Sequence, residues 1–219
     1  MTSCSVAQAA AATPSVKKVV VTSSGIAVYG GRDEPKHVYD EKDWADLTSD
    51  SIGFYPKSKT LAEKAAWDFV KNNNGHKFAL TVINPTWICG PPVTDEQGTS
   101  VALLRQLLNH ELEKVPKTQL VTVDVRDVAT CHVEALKKKE TDGERIISAS
   151  ATVYYKDIAG YLDKEFGPQG YKITTDEYTD EEVIAAAAKG STDAQRMLPR
   201  LGKTFYVDNS KVGGAFPAL

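Results

Sequence analysis

Tyr55 and Lys59 lie four residues apart in the run Phe54-Tyr55-Pro56-Lys57-Ser58-Lys59-Thr60-Leu61-Ala62-Glu63-Lys64-Ala65-Ala66-Trp67. On a helix, residues i and i+4 share a face one turn apart, so a phenol and an ammonium can be presented to one point. A lysine charge beside a phenol favours the phenolate and lowers its pKa. A tyrosine tuned in that way can give or take a proton near neutral pH. The same spacing also arises on any amphipathic helix rich in Tyr and Lys, so the pair gains meaning only with company. Two other stretches supply it. The hydroxyl cluster Thr22-Ser23-Ser24 closes a β-branched run, at the strand end where ligands of parallel sheets bind. A hydroxyl there can hydrogen-bond a carbonyl oxygen and polarise it; the plainer reading is that Ser23 and Ser24 terminate a strand. Asn84-Pro85-Thr86-Trp87-Ile88-Cys89-Gly90-Pro91 leaves a second strand, with a proline that fixes the backbone and a glycine that admits a close neighbour. It too reads as an ordinary strand exit when taken alone.

The elements that must position these groups follow from pattern. Residues 17–22 predict a strand covered on both faces, and residues 77–84 predict a second. Between them a helix is expected over 57–71, with Ala62, Ala65 and Ala66 on its small side and the stop Asn72-Asn73-Asn74-Gly75 behind it. Strand, long helix, strand is the pattern of a parallel crossover unit. The intervening 30–50, rich in charge, Gly and Pro, reads as a surface loop, and so does 85–98. Thr99 or Ser100 is expected to cap a helix carrying Val101, Leu104, Leu107 and Leu108 on one stripe. A strand over 119–123, a helix capped by Asp124 and a strand over 144–150 follow. The remainder reads as mainly helical: residues 155–166, a capping-box start at Thr179, and a last helix capped by Asp208. Residues 5–12 look like the back end of a helix stopped by Pro14.

Composition narrows the partners. The chain has 219 residues, 42% hydrophobic and 25% charged, with net charge −3, so a nucleic-acid partner is not expected. No apolar run is long enough to span a bilayer, and no basic, apolar leader opens the chain. Cys4, Cys89 and Cys131 are odd in number and widely spaced, and zinc-ligand spacing is missing, so no metal is expected and the default setting is reducing and cytoplasmic. His132, between Val128 and Leu136 on a helix face, reads as a structural histidine; Cys89 reads as a small buried residue.

Taken together, a serine after a strand, Tyr-x-x-x-Lys, and Asn-Pro-x-x-x-x-Gly-Pro after the helix resemble the extended short-chain dehydrogenase/reductase family. Val19-Val20-Val21-Thr22-Ser23-Ser24, Tyr39-Asp40-Glu41, Trp44, the run from Ser58 to Trp67 and Val123-Asp124-Val125-Arg126-Asp127-Val128-Ala129 are most similar to its dihydroflavonol-reductase-like branch. The resemblance implies an α/β fold: the C-terminal part of a Rossmann-like parallel sheet plus a smaller mixed α/β substrate lobe. It implies that Ser24 hydrogen-bonds the carbonyl oxygen, that Tyr55 protonates it, and that Lys59 serves the tyrosine and holds the nicotinamide ribose. Pro85 and Ile88 then line the nicotinamide and Ser100 makes a further cofactor contact. Tyr29 and Gln119 face substrate, with Tyr29 replacing the asparagine usual in flavonoid reductases. The implied cofactor is NADP, with NAD also compatible. The implied substrate is a small-molecule carbonyl, and a homodimer through helix 57–71 follows by analogy.

The expected organisation is a helix remnant over 1–15, an incomplete Rossmann-like catalytic core with interleaved substrate-lobe segments over 16–150, and a mainly helical substrate lobe over 151–219. A Gly-x-x-Gly-x-x-Gly turn for the pyrophosphate is missing from the sequence. The resemblance therefore implies a chain truncated at both ends and impaired as a reductase. Two other readings stand beside it: a sugar-nucleotide epimerase or dehydratase, echoed by Ala27-Val28-Tyr29-Gly30, and a non-enzymatic truncated product.

Overall fold

A computed structural model describes residues 3–32, 38–73, 75, 77–94 and 98–216. The helices are α1 (Ser3–Ala11), α2 (Ile26–Tyr29), α3 (Phe54–Asn72), α4 (Thr99–Leu108), α5 (Val125–Lys137), α6 (Tyr155–Phe166), α7 (Asp180–Ala188), α8 (Thr192–Met197) and α9 (Ser210–Ala215). The strands are β1 (Lys18–Thr22), β2 (Val38–Tyr39), β3 (Ala79–Pro85), β4 (Trp87–Cys89), β5 (Gln119–Asp124), β6 (Arg145–Ser148), β7 (Ala151–Tyr154) and β8 (Tyr206–Val207).

The main sheet has the order β1-β3-β6, and both pairings are parallel. Successive side chains on a strand point to opposite faces, and the apolar runs are sorted accordingly. Val19, Leu80 and Val82 pack with Ala7 of α1 and Ala66 of α3. Ile83 and Ile146 pack on the other face with Cys131 and Ala135 of α5 and Val212 and Phe216 at the C-terminal end. Helices thus cover both faces of a parallel sheet, the doubly wound arrangement. A second sheet, β4-β5-β7, is mixed, with β4 parallel and β7 antiparallel to β5. β2 and β8 form a short parallel pair that returns the end of the chain to Tyr39. Leu107, Val115, Ala159 and Ile173 join α4 and α6 in a separate core.

Several expectations are corrected. Residues 30–50 are more than a surface loop, because Tyr39 in β2 is 2% exposed and Ala45 5%. The loop expected over 85–98 contains β4, whose backbone partners come from β5. Helix α3 begins at Phe54, a turn ahead of the expected 57, so Tyr55 lies within its first turn. Its stop falls partly outside the described residues, which omit Asn74. Neither Thr99 nor Ser100 caps α4; the cap position is Gly98, without a side-chain hydrogen bond. By contrast Asp124 does cap α5, accepting from the Arg126 N–H, and Thr179 and Glu182 form the reciprocal box at α7. The expected cap Asp208 is corrected to Asn209, which makes no side-chain cap hydrogen bond; Asp208, one residue earlier, accepts from the Ser210 N–H at 2.8 Å. Among the described residues no helix is long and apolar enough to cross a membrane.

Candidate active site

The site is built at the carboxyl ends of β1 and β3. Ser24 occupies the turn from β1 into α2. The Gly25 N–H donates to the Pro85 carbonyl at 2.7 Å, so this turn is tied to the exit of β3. Asn84 Nδ2 donates to the Ser24 carbonyl at 3.1 Å, and the Ile26 N–H approaches Ser24 Oγ at 3.4 Å. Ser24 and Pro85 are therefore held side by side, as the pairing of two parallel strands requires.

Helix α2 carries Tyr29 back over the turn. A Cβ placed on Gly25 would lie 3.1 Å from Tyr29 Cε1 and 2.9 Å from Thr86 Cγ2, and one on Gly30 would lie 3.1 Å from Pro56 Cβ. The first turn of α3 thus rests on α2, which brings Tyr55 near Tyr29. Tyr55 is 59% exposed, and Lys59 follows one turn along the same face. Lys59 makes no ion pair among the described residues, although it is only partly exposed.

Burial pushes the Tyr29 phenol up to about 12; the Arg200 charge opposes this and the neighbouring Tyr55 adds to it. Tyr29 is therefore a protonated phenol at neutral pH, not a base. Its ring packs against Phe205, with centroids 4.9 Å apart, and Phe205 packs edge-on against Tyr39 at 6.0 Å. Gln119, 8% exposed at the start of β5, accepts the Phe205 N–H on Oε1 at 3.3 Å. Tyr29 and Gln119 are therefore brought together through Phe205. Burial also raises the Tyr155 phenol, again with Arg200 opposing. Ile88 lies in β4 opposite Val123 of β5, and Ser100 lies in the first turn of α4.

His132 is placed as a structural residue, whereas Cys89, expected to be buried, is only half-buried because three-residue β4 leaves it partly uncovered. His132 Nε2 is 2.7 Å from Thr22 Oγ1 and Nδ1 is 2.8 Å from the Val128 carbonyl, which engages both ring nitrogens. Burial, with the Asp124 charge behind it, pushes the Cys89 thiol up to about 11, which lowers its thiolate fraction at neutral pH. Cys4 lies where its side chain is not described. No group of three or more His, Cys, Asp or Glu residues is arranged to hold a metal among the described residues.

Sequence reasoning passed over four residues. Phe205 and Arg200 carry no local signal, because they reach the site only through the long return of the chain to β2. Glu63 and Arg145 form a pair at 2.6 Å, with side chains 0% and 9% exposed. The position of Glu63, one helical turn after Lys59, was the available clue.

The family model described as "NAD dependent epimerase/dehydratase family" matches residues 1–149. The chain is 36% identical over 169 residues to the NADPH-dependent methylglyoxal reductase GRE2 of Saccharomyces cerevisiae, covering 71% of this chain and 49% of that protein. It is 35% identical over 176 residues to an anthocyanidin reductase ((2S)-flavan-3-ol-forming) of Vitis vinifera, covering 74% of this chain and 50% of the relative. Among solved structures, the yeast methylglyoxal/isovaleraldehyde reductase Gre2 complexed with NADPH superposes with a TM-score of 0.74 at 29% identity, over 94% of this chain and 59% of that one. The chain spans about half the length of the curated relatives it matches.

Proposed function

The chain belongs to the NAD dependent epimerase/dehydratase family, and on that premise we propose that the β1 and β3 ends and the α3 face form the site of an NADPH-dependent carbonyl reductase. The observation that carries the reading is the donor set: the Ser24 hydroxyl, the exposed Tyr55 phenol and the Lys59 ammonium, which has no ion-pair partner among the described residues. These are the groups a nicotinamide ribose and a carbonyl oxygen need. The names of the similar reductases support NADPH as the cofactor.

In this reading Ser24 Oγ donates a hydrogen bond to the carbonyl oxygen and Tyr55 delivers the proton that turns it into a hydroxyl. Lys59 holds the ribose hydroxyls and keeps a positive charge beside Tyr55. Pro85 and Ile88 wall the nicotinamide, and Ser100 adds a cofactor contact. NADPH, when bound, supplies the hydride. Tyr29, Gln119 and Phe205 bound the substrate side, where Tyr29 stays protonated and presents a donor. The substrate class is a small aldehyde, ketone or dihydroflavonol-like carbonyl. The catalytic core falls over 16–150 with substrate-lobe segments inside it, and 151–219 supplies the rest of that lobe.

The test is consumption of NADPH by the 219-residue chain with methylglyoxal and a panel of small aldehydes, against NAD with a UDP-sugar. Turnover of carbonyls that is abolished in Tyr55→Phe supports the assignment. Turnover of the UDP-sugar alone would move the chain to the sugar-nucleotide branch, and turnover of neither would leave it without the proposed activity.

A further inference from the structure

Beneath the candidate site lies a buried polar network that none of the proposed chemistry uses directly. Its centre is the Glu63 carboxylate on α3. Oε2 accepts from Ser23 Oγ at 2.5 Å and from Asn84 Nδ2 at 2.7 Å. Oε1 accepts from Arg145 Nε at 2.6 Å and from Trp67 Nε1 at 3.3 Å. One side chain thus links the end of β1, the end of β3, the start of β6 and its own helix. Arg145 extends the network: Nη1 donates to the carbonyls of Glu41 and Asp43, both at 2.6 Å, and its guanidinium lies 3.8 Å from the Trp44 ring centroid.

The network reaches the reacting groups from both sides. Tyr55, Lys59 and Glu63 follow one another at i, i+4 and i+8, so the helix face that presents the phenol and ammonium is the face anchored by the carboxylate. Ser23 is the neighbour of Ser24, and the same Asn84 amide that donates to Glu63 also donates to the Ser24 carbonyl. Burying an ion pair of this kind is a poor route to stability, because desolvation offsets the attraction. Here the arrangement is also incomplete: Asn84 Oδ1 and Arg145 Nη2 are buried without a hydrogen-bond partner among the described residues. A costly network whose contacts converge on two catalytic elements is better explained by the geometry it fixes.

We propose that Glu63 is a positioning residue: through Ser23 and Asn84 it sets the placement of the Ser24 turn against the α3 face carrying Tyr55 and Lys59. The catalytic meaning of this placement rests on the carbonyl-reductase reading, whereas the placement itself does not.

The test uses the whole chain and two readouts. The first is amide hydrogen exchange at Gly25, Ile26 and Ala27, compared with Val20, Val21 and Val82 within the sheet. Ser23→Ala removes one link to Glu63 and leaves the Arg145 pair intact, so it reports even if Glu63→Gln does not fold. Exchange at residues 25–27 should rise about tenfold in Ser23→Ala, with the sheet amides unchanged, and Ser23→Thr, which keeps the hydroxyl, should restore it. The second readout is NADPH-driven reduction of a small aldehyde, in which Ser23→Ala and Glu63→Gln should lower kcat by roughly 10- to 100-fold with KM nearly constant. Unchanged exchange at residues 25–27, or an equal rise across the sheet, would overturn the proposal. A fall in stability with kcat intact would overturn it as well. If the unmodified chain reduces no carbonyl, the functional reading fails separately, and the exchange comparison still decides whether Glu63 holds the turn.

Discussion

Replacing Gly25 with alanine tests whether the turn that carries Ser24 is as tightly packed as its geometry indicates. Gly25 has φ −55° and ψ −29°, which alanine adopts without strain. The cost is therefore steric. The new Cβ would stand 2.9 Å from Thr86 Cγ2, 3.1 Å from Tyr29 Cε1 and 3.3 Å from Tyr29 Oη. Thr86 belongs to the β3 exit, and Tyr29 is wedged against Phe205, so neither can swing freely into solvent. Overpacking of this kind costs about 1–3 kcal/mol. Replacing glycine restricts the unfolded chain and returns about 0.4–1 kcal/mol. The net expectation, taken at the middle of both ranges, is a loss of about 1.3 kcal/mol, read as a lower urea midpoint with unchanged slope. Thr86→Ser deletes the nearest methyl, so the double variant should recover a substantial part of that loss, a coupling that additive, unconnected sites would not show. A Gly25→Ala variant as stable as the parent would refute the packing argument. So would a loss that Thr86→Ser leaves untouched.

Three further outcomes follow from the same structure. Leu107 is 1% exposed in the core shared with Val115, Ala159 and Ile173, so Leu107→Ala should cost about 2–5 kcal/mol in chemical denaturation. The Cys89 thiol, pushed up to about 11, should react with iodoacetamide at pH 8 roughly tenfold more slowly than an unperturbed thiol, the smaller thiolate fraction outweighing the stronger nucleophile, with the rate rising until the pH passes 11. The Arg126 side chain and N–H hold the Asp124 carboxyl down at about 2. Its capping contribution is therefore complete above the ordinary carboxylate range and is lost as pH falls toward 2, so Asp124→Asn should flatten the acid limb of stability below about pH 4.

Much of the fold is legible along the chain, for reasons that differ by element. Helix α6 is bounded by its own pattern and by Gly167-Pro168, and it runs Tyr155–Phe166 as expected. Strands β1 and β3 are continuous apolar runs because the sheet is covered on both faces, and such runs announce themselves. The elements that escaped are short and depend on distant partners. β4 has three residues and is held by β5; β2 has two and is held by β8, which joins it only near the end of the chain. β7 shows little burial and no alternation, and it is a strand because β5 pairs with it.

The site divides along the same line. Ser24, Tyr55, Lys59 and Pro85 lie on or beside β1, α3 and β3, elements that the local pattern positions. Phe205 and Arg200 approach Tyr29 only through long-range return of the chain, which local pattern does not encode. Glu63 is intermediate: its place one turn after Lys59 was visible, but its burial against Ser23, Asn84 and Arg145 depends on three strands meeting.

The central claim is that the nicotinamide side of a reductase site stands in this chain. Titration calorimetry of NADPH into the 219-residue chain, with Lys59→Ala alongside, tests it most directly. Saturable binding that is lost in Lys59→Ala is the predicted result. A folded chain that binds no NADPH, or binds it equally well without the lysine, would contradict the account.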